Sequence, residues 1–517
     1  MAIVDTAQVR IFVGTHFFAI VPLEVRSRNA IYDVLATRVA TEWAYDPSQG
    51  RNVRVQGKVW GGRLNDNSVF RMPISMLPEM LRKLKQATVS EDFIKIVRLP
   101  TYEPLTAEIK LNPAFTLYEK QEEALKFALD SKAQGYPSCL LQMPTGTGKT
   151  VTLSAVAASL GLRLGIFVSP AYVEKWKQDL QKYLMMTEDQ FFEVRGRKSI
   201  RKLFEESEAG TFDKDATIFS LATLTEFFKE YEENPENAVD IYGGSPFDIW
   251  KAAGIGFLGG DETHERFHQV YWLNTFIHGP FHLGLSATML HNDPFIEDRQ
   301  KEIYPQSIRF TKIKMKKYIH FVEFSYTFKD MERSKIKTSF PGRTTYSQHA
   351  YEISIVKNKE AFQNFLEMIQ FLVDEYYMKD RKEGEKLAIY CSRIEMINKV
   401  LNFLKATYPK LDIRRYAEND PYEDCINADI RVTNRGKAGT AVDIPGLTRV
   451  IAIDNVESAQ AVLQLVGRLR EVKGRDVVFI QTYCTSVKKH VAYKESRREL
   501  VEDRVAGFTE HRYNRHL

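Results

Sequence analysis

The sequence predicts an α/β protein in which two domains in tandem, each a parallel sheet with helices on both faces, follow a small α+β domain. Three observations carry this. Strand-like and helix-like segments alternate downstream of Gln121, a second alternating series runs between residues 386 and 482, and the region before residue 110 has a different texture.

In that first region, apolar runs (VRIFVG, FFAIVPLEV, VRVQGKVWG) precede one amphipathic segment, MLPEMLRKLKQA. Residues 1–110 are therefore read as an α+β domain. The stretch TYEPLTAEIKLNPAF, with two prolines and mixed polarity, reads as its linker. From Gln121 to Gly161 come a helix (KQEEALKFALDSKAQG), a strand (SCLLQ), a Gly-rich turn (MPTGTGKT) and a second helix (VTLSAVAASLG). Strands follow at LGIFVSP, ATIFSLATL, GIGFLGGDETH and HLGLSAT, so residues 111–305 form the first α/β domain. The runs KLAIYCS, DIRVTN, RVIAIDN and DVVFIQT place the second at 351–490. Residues 306–350 are expected to be a basic connecting segment, and 491–517 a charged helix or tail.

A chain of 517 residues that is 44 % hydrophobic can fill several cores, which excludes general disorder. The longest apolar stretch, Leu153 to Val168, is interrupted by Arg163 and is too polar to span a bilayer. MAIVDTAQVR has no basic segment followed by an apolar one, so a cytoplasmic protein without membrane contact is expected. Cys139, Cys391, Cys425 and Cys484 are far apart and lack C-x-x-C spacing, so neither a disulfide framework nor structural zinc is expected.

Positive charge is unevenly distributed. Residues 1–100 carry a net +5 and residues 301–350 a net +7, although the whole chain is only +5. Concentration outside the stretches that carry the catalytic signals suits a polyanion partner; a solvated lysine-rich loop is the bland alternative.

The strongest motif is Pro144, Thr145, Gly146, Thr147, Gly148, Lys149 and Thr150 between a strand and a helix. Small residues let backbone N–H groups turn toward a polyphosphate, Lys149 can reach the β and γ phosphates, and Thr150 can ligate Mg²⁺. Met143 stands where the strict pattern has its first glycine. Asp261 and Glu262 open DETH at the end of an apolar run. An isolated acidic pair is usually a solvated turn. Downstream of a phosphate loop, Asp261 suits Mg²⁺ and Glu262 suits activation of the attacking water. Ser286-Ala287-Thr288 could hydrogen-bond that motif or cap a helix. In the second domain, Arg468 and Arg470 of QLVGRLR are candidate arginine fingers, and Gly439 opens a small-residue loop, GTAVDIP, able to approach a nucleotide or nucleic-acid backbone.

The order PTGTGKT, DETH, SAT, GTAVDIP, QLVGRLR resembles the motif series of superfamily 2 helicases and translocases. LYEKQEEA, with Gln121, is similar to the adenine-recognising motif, with Tyr118 and Lys120 where the family has Arg and Tyr. VFRMPISMLPEMLRKLKQA and the DETH form resemble phage UvsW-type and XPB-like fork-remodelling and branch-migration helicases. The resemblance implies two RecA-like P-loop domains using ATP and Mg²⁺. ATP would be bound by Gln121 and the 144–150 loop and completed by Arg468, Arg470 and Asp443; the spacing leaves open which arginine meets the γ-phosphate. It also implies phosphate-backbone contacts through Ser169, Pro170, Ser220, Thr433 and Thr440.

The implied partner is DNA, as a single-stranded track with forked or branched duplex, handled by a monomer in the cytoplasm, that of the host bacterium if the chain is phage-encoded. Arg54 and Trp60 lie in RNVRVQGKVWGGR, a stretch that can grip duplex phosphates and stack a base; Trp60 taken singly is equally well a core residue. Two other readings stay open: an RNA helicase, and an ATP-gated DNA-binding or restriction-type translocase subunit without strand separation.

Overall fold

The computed structural model describes residues 7–517 apart from 37–38, 47–50, 60, 145, 265, 288–293, 312–316, 419, 436–443, 456–458, 473 and 503, and apart from the side chains of 39–59, 422, 425, 459–460 and 464. The chain divides into two compact units. One comprises Met1–Met143 and Thr147–Ile313; the other comprises Lys314–Leu517 with Pro144–Gly146.

Among its described residues, the N-terminal domain, part of the first unit, has seven strands: β1 (Val9–Val13), β2 (Phe17–Pro22), β3 (Val39–Asp46), β4 (Arg51–Val59), β5 (Gly62–Arg63), β6 (Phe70–Pro73) and β7 (Ile94–Arg98). Five form a mixed sheet in the order β5-β6-β2-β1-β7, and β3 and β4 form a separate antiparallel pair. Ile11, Phe18, Ile20, Phe70 and Met72 bury one face of that sheet against Ile31 and Val34 of helix Val25–Ala36 and against Met80 and Leu84 of helix Leu77–Gln86. The second helix starts with proline in its first turn and ends with Lys83 and Lys85, both favourable placements.

This domain packs on the rest of its unit through a buried ion. Arg71, 1 % exposed, pairs with Glu232, lies 4.1 Å over the Phe276 ring, and shares Glu232 Oε1 with the Trp272 indole N–H at 2.9 Å. His16 Nε2 donates to the Pro137 carbonyl at 2.9 Å.

The remainder of the first unit is a seven-stranded parallel sheet. Its strands are β8 (Ser138–Gln142), β9 (Leu164–Val168), β10 (Phe191–Val194), β11 (Ala216–Ser220), β12 (Phe257–Gly260), β13 (Phe281–Ser286) and β14 (Arg309–Phe310), in the order β10-β11-β9-β12-β13-β8-β14. The second unit holds β15 (Ile319–Thr327), β16 (Lys386–Tyr390), β17 (Ile413–Tyr416), β18 (Ile430–Thr433), β19 (Leu447–Ala452), β20 (Val477–Cys484) and β21 (Val505–His516), in the order β17-β18-β16-β19-β20-β15-β21. Every pairing in both sheets is parallel. The two orders are the same topology, strand for strand, displaced by seven. Fully buried strands such as LGIFV and IRVT match the expectation for parallel sheets covered on both faces.

Two segments differ from expectation. The basic stretch 306–350 is more than a connection, because it supplies β14 to the first sheet and β15 to the interior of the second. In IHFVEFSYT seven of nine positions are buried, so its apolar content outweighs the flanking lysines. Residues 491–517 likewise do not end as a tail. After helix Lys488–Val501 the chain forms β21, the edge strand beside β15, with Phe508 and Tyr513 packed on Phe321 and Phe324. Among the described residues, no helix is long and apolar enough to cross a membrane.

Candidate active site

The site is built where β8, β9, β12 and β13 end. Past β8, Met143 N–H donates to the Ser286 carbonyl at 2.9 Å, extending the pairing with β13, and its side chain is fully buried in the core. The residue that breaks the glycine pattern thus serves the sheet. Gly146 and Gly148 follow with φ of 86° and 85°, the left-handed region, and Gly148 caps helix Lys149–Leu160. A Cβ on Gly148 would lie 2.1 Å from Gln121 Nε2. That amide donates to the Thr147 carbonyl at 2.9 Å while Gln121 Oε1 accepts the Tyr118 N–H at 2.9 Å, so Gln121, buried at the start of helix Glu119–Ala133, braces the loop. Lys149 and Thr150 occupy the first helical turn, where unpaired N–H groups favour an anion. Thr145 lies outside the described residues.

Gly260 ends β12, the glycine-rich strand, and a Cβ there would strike the Phe167 ring at 2.1 Å, so close packing on β9 requires glycine. The chain then turns sharply, with Glu262 at φ 45° and Arg266 at φ 49°, backbone conformations disfavoured for side-chain-bearing residues. The turn aims Glu262 at Lys149, with which it forms an ion pair. Asp261 faces elsewhere: its Oδ2 accepts the Trp176 indole N–H at 2.9 Å and its Oδ1 accepts the Glu262 N–H at 2.9 Å. His264 Nδ1 lies 2.8 Å from Ser286 Oγ and 3.3 Å from Glu262 Oε2, linking the acidic turn to the end of β13. Thr288 lies outside the described residues.

The adjacent acids titrate in opposite directions. Burial, reinforced by the Glu262 charge, pushes Asp261 up against the pull of Lys149. Burial also pushes Glu262 upward, but Lys149 and His264 outweigh it and hold that carboxyl down at about 2. Ser169, Tyr172, Leu221, Asp261, Glu262 and Arg266 line one small cleft, which brings the end of β9 to the acidic pair.

Of the remaining expected residues, Pro170 is exposed at the start of a short 3₁₀ turn, and Ser220 is buried at the end of β11. In the second unit Thr433 ends β18, fully buried, with its hydroxyl donated to the Tyr416 carbonyl at 2.5 Å. Arg468 is buried and Arg470 donates to the Gly467 carbonyl. Leu469 between them is anchored in the core, its carbonyl accepting the Tyr318 hydroxyl at 2.8 Å. Gly439, Thr440, Asp443 and Trp60 lie outside the described residues. Arg54 is on β4, whose side chains are not described.

Trp176 is the site residue that the motif reading missed. Its sequence signal is its place at the end of IFVSPAYVEKW, the stretch similar to a first DNA-backbone motif, but nothing local says that its N–H points at Asp261.

Residues 114–291 match the family described as Type III restriction enzyme, res subunit. That span runs from just before helix Glu119–Ala133 to just past β13 and contains the loop, the acidic pair and Ser286. No curated protein matches the sequence. Among solved structures, S. cerevisiae Dbp5 bound to RNA and ADP BeF3 is 11 % identical with a TM-score of 0.48, the alignment covering 76 % of this chain and 89 % of that one. The crystal structure of T4 UvsW is 13 % identical with a TM-score of 0.34, covering 98 % and 99 %. With its motif order, this matched domain and two parallel sheets in tandem, the chain resembles the superfamily 2 helicases.

Proposed function

We propose that this protein is an ATP-dependent DNA helicase or translocase that remodels forks and junctions, including branch migration, in phage replication, recombination or repair. The observation that carries the nucleotide half is the pairing of Lys149, at a helix N-terminus behind two left-handed glycines, with Glu262 at the end of the neighbouring strand cluster.

Lys149 holds Glu262 too acidic to take a proton from water. Polyphosphate in the 144–150 loop draws the Lys149 ammonium away, which removes the main force depressing Glu262 and leaves burial to raise it. Glu262 then accepts the proton of the water that attacks the γ-phosphate. Arg468 and Arg470 are the candidates for neutralising charge on the transferred group. Gln121, bonded to Thr147, reports adenine occupancy to the loop.

Asp261 and Thr150 are the residues that would hold Mg²⁺. The fit is good: a buried carboxylate pushed toward protonation gains from a neighbouring cation. One carboxylate and one hydroxyl, with no cluster of three acidic, His or Cys ligands among the described residues, suit an ion that keeps several waters and phosphate oxygens. When bound, Mg²⁺ neutralises charge on the β and γ phosphates.

DNA contact is assigned to Ser169, Pro170, Ser220 and Thr440 along one strand and to Arg54 and Trp60 at duplex arms, by a monomer in the cytoplasm; Thr433, buried with its hydroxyl spent on the Tyr416 carbonyl, is withdrawn from that set. The family description of residues 114–291 favours a second reading, a restriction-type translocase subunit that moves without separating strands. ATP hydrolysis measured with single-stranded DNA, duplex, forked DNA and RNA as activators, alongside strand displacement on forks, tests both. Stimulation by single-stranded and forked DNA with fork displacement is expected. Stimulation without displacement favours the translocase, and stronger activation by RNA overturns the DNA assignment.

A further inference from the structure

The end of β9 and the acidic turn share more than a cleft. The chain leaves β9 through Ser169 and the 3₁₀ turn Pro170–Tyr172, then enters helix Val173–Leu184. Trp176 sits in the first turn of that helix, 1 % exposed, with Val173, Leu180 and Leu184 buried on the same face. Its indole N–H ends on Asp261 Oδ2. Two charged neighbours on this helix also act on Asp261: Lys175 lies close enough to pull its carboxyl down, and Asp179, 4.0 Å from Lys175, is itself pushed up by burial and by the Asp261 charge.

A buried tryptophan must satisfy its N–H, and a backbone carbonyl is the usual partner. Trp250 of this chain does that, donating to the Phe276 carbonyl at 2.8 Å. Trp176, like Trp272 on Glu232, spends its N–H on a carboxylate, here the one assigned to Mg²⁺. The helix cannot shift at its N-terminus without moving the indole, because Trp176 lies in its first turn and packs in the core.

We infer that Trp176 is a positioning residue through which strand contact at Ser169–Tyr172 sets the orientation of the Asp261 carboxylate, and so couples DNA binding to metal-dependent hydrolysis. This rests on the ATPase reading above. DNA phosphate drawn to Ser169 and Pro170 fixes the start of the helix, the indole fixes Oδ2, and Oδ1 is already fixed by the Glu262 N–H. Linkage then requires the reverse effect: DNA should raise the apparent affinity for Mg²⁺, and Mg²⁺ with nucleotide should raise the affinity for DNA.

The test is Mg²⁺ titration of ATP hydrolysis by the full-length chain, with and without single-stranded DNA. In the wild type, DNA should lower the half-saturating Mg²⁺. Trp176→Phe keeps the aromatic packing and deletes the N–H. It should raise the half-saturating Mg²⁺ in the presence of DNA about tenfold and abolish the effect of DNA on it. A folded Trp176→Phe protein whose Mg²⁺ dependence and DNA response stay within twofold of wild type overturns the inference, whatever its thermal stability. Absence of ATP hydrolysis by the wild type instead overturns the underlying function. Should Trp176→Phe fail to fold, 5-fluorotryptophan is incorporated into a chain carrying Trp43→Phe and Trp60→Phe. Of the three remaining fluorine signals, that of Trp176 should shift with single-stranded DNA and again with Mg²⁺ and a non-hydrolysable ATP analogue. No signal responding to both overturns the coupling.

Discussion

The two seven-stranded sheets have one topology and opposite treatments of their strand ends. After β9 the first sheet leaves Ser169 part-exposed and Pro170 exposed. After β16, its counterpart, the N–H groups of Ser392 and Arg393 are both taken by the Glu352 carboxylate at 2.8 Å. A side chain of the second unit fills the anion-accepting helix start of Ile394–Thr407. The acids after β12 and β19 diverge likewise. Asp261 accepts neutral N–H donors, whereas Asp454 is closed by both arms of the Arg435 guanidinium. One topology thus yields one edge with exposed strand-end residues and one that is internally satisfied, and the difference lies in a few side chains at equivalent strand ends.

The largest effects should follow where that difference is erased. Glu262→Gln should keep binding of an ATP analogue and lose about 10³-fold in turnover, and Lys149→Ala should lose both. Asp454→Asn, at the matching strand end, should leave ATP binding by the folded protein intact and cost about 3 kcal/mol in denaturant unfolding, because Arg435 loses its partner. Ordinary turnover in Glu262→Gln would remove that residue as the base. A catalytic loss in Asp454→Asn without a stability loss would erase the contrast.

A comparable energy is held at the N-terminal domain. Arg71→Met should destabilise the first unit by about 3 kcal/mol by stranding Glu232, and adding Glu232→Leu should recover most of it. Thermal unfolding of the single and double variants measures this. A chain beginning near Thr101 would uncover the same face, so the part played by this domain on forks is better tested by Arg54→Ala with Trp60→Ala than by truncation.

Two acids, Glu262 in the first unit and Glu352 in helix Gln348–Lys357 of the second, should also differ in the sign of their pH dependence. Glu352 is pushed up to about 7, chiefly by burial, from an ordinary value of 4.5. The folded chain therefore binds that proton more tightly than the unfolded chain, and stability should fall as pH rises from about 4.5 to about 7, by about 3 kcal/mol at most, then level off. Glu262, held at about 2, has the reverse sign: its contribution is present above 4.5 and is lost as pH falls toward 2. Melting temperatures between pH 5 and 7.5 should decline in the wild type and be flatter in Glu352→Gln. An unchanged slope would show that Glu352 is not the group responsible.

Much of this was legible in the sequence, and the illegible part has physical causes. The phosphate loop, the acidic turn and nine of the parallel strands announce themselves through contiguous apolar runs and residue types whose chemistry is local. β15 was hidden by counting charge over fifty residues, because flanking lysines masked a buried run. β21 was hidden because an edge strand buries so little of itself that VAGFTEHRYNRH reads as solvated. Arg71 was counted with the phosphate-seeking charges although it is spent on Glu232. Trp176 and Glu352 act on partners 85 and 40 residues away, so no local pattern identifies them.

The smallest effect tests the hydroxyls on matching strands. Ser169 follows β9 part-exposed, whereas Thr433 ends β18 with its hydroxyl donated inside the second unit to Tyr416. Thr433→Val keeps the β-branched shape and removes only the O–H. It should cost about 1 kcal/mol of stability and leave single-stranded DNA affinity and its dependence on log[salt] unchanged. Ser169→Ala removes the hydroxyl of a part-exposed residue, so it should leave stability within about 0.5 kcal/mol and weaken DNA binding severalfold at every salt concentration, since a neutral donor releases no counterion. Fluorescence-anisotropy titrations of both variants at several salt concentrations separate the cases. If Thr433→Val weakened DNA binding as much as Ser169→Ala, the buried hydroxyl would have to be released on binding, and the second sheet would carry a hidden edge of the kind the first displays.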